Sequence, residues 1–216
     1  MVVQELQGLL ERIYDVPLAH DVAQFLLTDR SALPAEFGAH ASDEQLLVAE
    51  EGGEMTLGLF LEPQVLERLA AANPIDMLNG ANLADYWTAL EGVSHFVYLA
   101  WNAGHDRAVG LMELELQAEV DKYVCSVQLL RAQDPTRFPA EVHRALFETA
   151  RVDPALAGER VGLYRRANHY AARFCRHLSE LLRPVGASAQ EEARCELRRF
   201  YRLTSAMKLR HIECLA

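Results

Sequence analysis

The sequence predicts a mainly α-helical domain with one small β-hairpin, and three observations carry that expectation. Apolar residues recur at helical spacing through most of the 216 residues. One stretch near residues 45–61 switches to strict alternation, and prolines and glycines divide the rest into about six or seven helical lengths. A chain of this size can enclose one core, so residues 1–216 are read as a single domain.

Val3, Leu6, Leu10 and Ile13 place an opening helix that ends near Tyr14, ahead of Pro17. Asp21 to Thr28 is too short to assign, and residues 29–43 read as a loop. QLLVAE and MTLGLFL then flank EGGE. With Gly52 and Gly53 at the tip of a two-residue turn, Val48 pairs with Leu57, Leu46 with Leu59, and Glu51 stands opposite Glu54. Pro63 opens a short helix that ends at Asn73. Asn82 is expected to cap a long helix over about 82–103, with Asp85 in its first turn and Gly104 in a left-handed closing position. Further helices are predicted at about 108–132, from Pro139 to before Asp153, and at about 159–182. After the break Arg183-Pro184-Val185-Gly186, a capping box from Ser188 to Glu191 opens a last helix over about 188–211.

Half the residues are hydrophobic and 24% charged, the balance of a globular chain rather than a disordered one. The longest apolar run, Val93 to Ala103, is about half the roughly 20 residues that cross a bilayer, so no membrane span is expected. The amino terminus carries acids and no basic lead into an apolar stretch, unlike a secretory signal. Cys125, Cys175, Cys195 and Cys214 are scattered and form no CxxC pair. They read as reduced packing residues, and the protein as cytoplasmic.

Charge is unevenly placed. Residues 1–135 hold six Lys or Arg against 22 Asp or Glu, whereas residues 136–216 hold 15 against nine. The helix at 159–182 carries Arg165, Arg166, His169, Arg173, Arg176 and Arg183 along one stripe. That stripe can meet solvent, the acidic part of the chain, an outside anion or an acidic partner. Nucleic acid is disfavoured, because no aromatic residue is interleaved with the arginines and the formal charge of the chain is −10.

The candidate site lies in YWTALEGVSHFVYLAWNAG, residues 86–104, whose only formal charge is Glu91. His95 follows one helical turn later, and Trp87, Ser94, Tyr98 and Asn102 share that side. Apolar residues cover the remaining surface, so the helix is expected to be buried. A buried carboxylate must be protonated, paired with a cation or bound to a metal. In the next helix, Glu115 and Glu119 are again one turn apart, beside Met112, Lys122 and Ser126. A helical hairpin would bring them opposite Glu91 and His95, giving three carboxylates and one imidazole, a set suited to a divalent metal ion. Glu113, Gln117 and Asp121 give that helix polar directions elsewhere, and a Glu three or four residues from a Lys is what a solvated face looks like, so Glu115 and Glu119 also read as part of a solvated face. In a structural alternative Glu91 hydrogen-bonds His95 or pairs with an arginine of the carboxy-terminal helices; were the basic helix to pack here, Arg173 would supply that salt bridge, whereas His169 would join a metal site.

Two known arrangements bear on this site. Di-iron carboxylate bundles use Glu-x-x-His, and the spacing from Glu91 to His95 is one residue longer. Zinc peptidases with HExxH place a hairpin before the motif helix, and this chain resembles them in that placement, in His95 and in Glu115 on the following helix. Glu91 stands where their first His belongs and Gly92 where their catalytic Glu belongs, so the resemblance implies at most a degenerate core without its base. There is no GxSxG and no Gly-rich phosphate loop. The functional expectation is therefore a helical protein with a Glu/His site for a divalent metal or small ligand, built on Glu91, His95, Glu115 and Glu119 with Trp87 and Tyr98 nearby. The competing expectation is an interaction or adaptor protein, or a homo-oligomer, that works through its acidic and basic surfaces.

Overall fold

A computed structural model describes residues 1–33, 42–148 and 158–215. Eight α-helices and a three-stranded sheet are found among them, with two short 3-10 turns at Val22–Gln24 and Arg30–Ala32. The helices are α1 (Val2–Tyr14), α2 (Pro63–Ala71), α3 (Leu83–Ala103), α4 (Leu111–Gln133), α5 (Glu141–Phe147), α6 (Gly158–Leu182), α7 (Ala187–Arg202) and α8 (Ser205–Glu213). The strands are β1 (Leu26–Leu27), β2 (Glu44–Glu51) and β3 (Glu54–Leu61).

The hairpin forms in the expected register, Val48 opposite Leu57 and Leu46 opposite Leu59, with Glu51 opposite Glu54. Gly52 and Gly53 both take positive φ, 62° and 87°, which a side chain would resist. The unassigned stretch after Asp21 becomes a 3-10 turn followed by β1, which pairs parallel to β3, Leu26 with Leu59 and Leu27 with Phe60. The sheet order is β1-β3-β2. Alternation marks only part of the burial in β3. Leu59 and Leu61 face the helices, but Phe60 is buried as well, with the Arg30 guanidinium 4.6 Å above its ring.

Several predicted ends move, each for a local reason. Asn82 stands at the start of α3, yet its side chain does not cap it. Its amide instead bonds Asn79 N–H and the carbonyls of Ala72 and Met77, tying down the preceding loop. Asp85 meets Arg68 of α2 in a two-pronged ion pair, both N–O distances 2.7 Å. Gly104 remains right-handed at φ −62°, and the left-handed residue of that turn is Asp106 at φ 51°. Ser188 lies inside the first turn of α7, because Gly186 holds the capping position and accepts Gln190 N–H. The last predicted helix is two, broken at Leu203 and Thr204, where the Thr204 hydroxyl caps α8 by accepting Met207 N–H. The helix predicted from Pro139 is seen at Glu141–Phe147, and its predicted end falls outside the described residues.

One buried apolar cluster draws on all the helices and the sheet, from Val3 and Leu6 through Leu59, Val93 and Val120 to Phe174, Phe200 and Ile212. α3 lies within it: Leu90, Val93, Phe96 and Val97 are inaccessible to solvent. No helix among the described residues is long and apolar enough to cross a membrane.

Candidate metal centre

Helix α3 is covered by the sheet on one side and by α4 on another, and Gly92 sets how closely the sheet approaches. A Cβ at that position would lie 2.6 Å from Leu59 Cδ1, 2.8 Å from Glu44 Cγ and 3.1 Å from Glu44 Oε1. The space beside residue 92 is therefore filled by Glu44, the first residue of β2, whose side chain is only 13% exposed. Four acidic or imidazole groups converge there. Ligand atoms of Glu91, His95 and Glu115 all lie within 4.8 Å of one another. His95 Nε2 is 3.9 Å from Glu115 Oε1, and His95 Nδ1 is 3.7 Å from Glu44 Oε1. These separations are too long for hydrogen bonds. His95 Nε2 and Glu44 Oε1 are accordingly buried with no hydrogen-bond partner, an expensive state for both.

Lys122 supplies the ammonium that faces Glu91. Its Nζ lies 2.7 Å from Glu91 and 2.8 Å from Glu119, so it bridges the two carboxylates. Glu119 is held by this lysine and stands apart from the three converging ligands. Glu91 is less enclosed than the sequence suggests: its side chain keeps 27% exposure and opens the cluster to solvent. Burial opposes charge on every group here, but the neighbours decide the outcome. Glu115, Glu44 and Glu91 outweigh burial at His95 and raise its imidazole to about 9. Burial dominates at Glu115, which rises to about 7 against the pull of His95, and it also raises Glu44. Lys122 and His95 outweigh burial at Glu91 and hold it below the ordinary carboxylate range. Glu91 and Glu119 likewise keep the Lys122 ammonium charged despite its burial.

The other expected site residues lie elsewhere. Trp87 Nε1 donates to Ser126 at 3.0 Å, joining α3 to α4. Tyr98 donates to Glu113 at 2.6 Å on a different face of the same helix pair. His169 is exposed against Tyr170, and exposed Arg173 donates to the Leu215 carbonyl, so neither is the partner of Glu91.

The pair read as solvated is not: Glu115 is 6% exposed and Glu119 is held by Lys122, and the other polar direction of α4 is a second buried cluster. Glu113, Gln117 and Asp121 are 3%, 0% and 1% exposed. Asp121 accepts from the hydroxyls of Tyr14 and Ser94 and from Gln117. Gln117 Oε1 in turn accepts from Lys208, which is wholly buried and lies 4.5 Å from the centre of the Tyr98 ring and 4.7 Å from that of Phe200. Arg107 completes the cluster by donating to Glu113 and, at 2.5 Å, to the Leu203 carbonyl in the break between α7 and α8.

Burial brings the Lys208 ammonium down to about 7 from its ordinary 10.5, against the attraction of Glu113 and Asp121. Between those values the unfolded chain holds a proton that the folded one has released, so this group makes stability rise with pH across the window. His95 acts oppositely: its stabilisation is complete below 6.5 and is lost as pH rises through about 9. In Lys208→Met the rising contribution should vanish, and urea midpoints compared with the parent should show the variant's relative advantage shrinking steadily from pH 7 to 10.5. A constant difference across that range would contradict the assignment.

Comparison with known protein families, curated proteins and solved structures finds no match for this chain.

Proposed function

We propose that Glu91, His95 and Glu115 bind a divalent transition metal, with Glu44 on the Nδ1 side of the imidazole to orient the ring. The observation that carries this reading is the charge balance of the cluster. Glu44, Glu91, Glu115 and Glu119 gather around one ammonium, Lys122, and one imidazole, His95. Lys122 serves Glu91 and Glu119 together, which leaves Glu44 and Glu115 with only the imidazole between them and without a hydrogen bond to it. A dication placed among Glu91, His95 and Glu115 supplies the missing positive charge and engages the unpartnered His95 Nε2, which leaves Nδ1–H free to donate to Glu44. One imidazole nitrogen with carboxylate oxygens suits zinc, manganese or ferrous iron. Partial exposure of Glu91 leaves a way in. The four free cysteines agree with a reducing compartment, and we read the protein as cytoplasmic.

Metal analysis of the purified protein and melting in the presence of zinc, manganese and ferrous iron test this directly. Binding is expected at one ion per chain, with about 2.7 kcal/mol of added stability at a hundredfold excess over Kd. His95→Ala and Glu115→Gln should each lose it, while Glu119→Gln, outside the converging set, should keep it. Because the ion displaces the His95 proton, uptake should tighten as pH rises toward about 9. No bound ion and no melting shift in the parent protein would reject the proposal.

A further inference from the structure

A cavity of about 550 Å³ opens between α1, α4 and α7, well away from the Glu/His cluster. Its apolar wall includes Leu9, Ile13, Val127 and Leu197, and its rim includes Val185, 82% exposed at the turn between α6 and α7. Three guanidinium groups line it, those of Arg12, Arg131 and Arg194, and no acidic residue does. Arg194 has a carboxylate partner, Glu191, on the solvent side at 2.7 Å. Arg131 donates to the Leu182 carbonyl, and neither it nor Arg12 makes an ion pair among the described residues.

We propose that this cavity binds a small organic anion, a carboxylate bearing an apolar tail. Its volume lies in the range of small-ligand sites, roughly 300–1,000 Å³. Planar guanidinium groups match a carboxylate by forked hydrogen bonds, and two of the three have no acid of their own. The apolar lining excludes a purely hydrophilic anion as the best fit, since such a ligand would leave Leu9, Ala132 and Val185 in contact with water. The arginines equally disfavour a neutral hydrocarbon, which would bury them without a partner. The site is independent of metal binding: it shares no residue with the cluster around His95.

Calorimetric titration with decanoate, 1-decanol and acetate, on the full chain and below micelle-forming concentrations, tests the proposal. One saturable decanoate site is expected, with decanol and acetate each at least roughly tenfold weaker, the scale of a single charge-assisted hydrogen bond. The Arg12→Gln variant should weaken decanoate by a similar factor; Arg12 is exposed and has no acid of its own among the described residues, so folding is little affected. Ala132→Trp, at an exposed position lining the cavity, should abolish binding while leaving the melting temperature near that of the parent. Absence of saturable binding, equal affinity for decanol, or undiminished affinity in the arginine variant or in Ala132→Trp would overturn it.

Discussion

Gly92→Val is expected to destabilise the protein by about 3 kcal/mol, the upper part of the range for an overfilled core. The smallest side chain would already reach 2.6 Å from Leu59 Cδ1 and 2.8 Å from Glu44 Cγ, inside van der Waals distance. Leu59 is wholly buried, so its side chain must turn within a packed core to make room. Gly92→Ala should cost about 1–3 kcal/mol even though alanine is the better helix former. Gly162 of α6 provides the contrast: it is exposed, nothing lies within 4 Å of its added Cβ, and Gly162→Ala should gain up to about 1 kcal/mol. Chemical denaturation of the three variants checks the pattern. If Gly92→Ala were as stabilising as Gly162→Ala, the sheet would not rest on α3 as described. The substitution should also displace Glu44 from His95 and so weaken any metal uptake.

Lys122→Met should cost about 3 kcal/mol, from a charge left without its partner in a mostly dry site. Glu91 and Glu119 would then face Glu115 and Glu44 with only the His95 imidazolium nearby. The loss falls at the lower end for buried pairs because water reaches Glu91. Removing the stranded charge as well, in Lys122→Met/Glu91→Gln, should recover part of the loss, and a double-mutant cycle read from urea midpoints measures it. Additive effects would mean that the lysine contributes by packing alone. If the cluster binds a dication, adding zinc should restore Lys122→Met more than it stabilises the parent, since the ion replaces the missing charge.

These features were unequally visible in the sequence. The hairpin register was legible because alternation and a Gly-Gly turn determine the same pairing. Helix α3 was legible because few soluble helices are so apolar on every side. The convergence of Glu91, His95 and Glu115 followed from one-turn spacing on two helices joined by a short turn. Glu44 was missed because it begins a strand just after a loop and has no periodic neighbour to place it. Gly92 was its one available signal, a residue without a side chain beside the acid in the middle of a long helix. Asp121 and Gln117 were given no role for a more general reason. A polar residue on a helix looks solvated until its partner is known, and Lys208 lies 91 residues beyond Gln117. The break between α7 and α8 has neither Gly nor Pro at Leu203-Thr204, and only the capping potential of Thr204 hinted at it.

The way α7 grips α1 bears on the order in which the chain can mature. Arg198 donates to the Ile13 carbonyl across 185 residues, and Arg202 to the carbonyls of Tyr14 and Asp15 across 188 and 187. Tyr14 stacks on Tyr201 with ring centres 4.1 Å apart. Helix α1 leaves the ribosome well before α7 and therefore waits for it to satisfy its carboxyl end. Until then those carbonyls stay open, while α3, made earlier than α7, can already cover part of the apolar face of α1. The wait also makes the docking of α1 a long-range closure rather than a local one, the kind of topology that folds slowly.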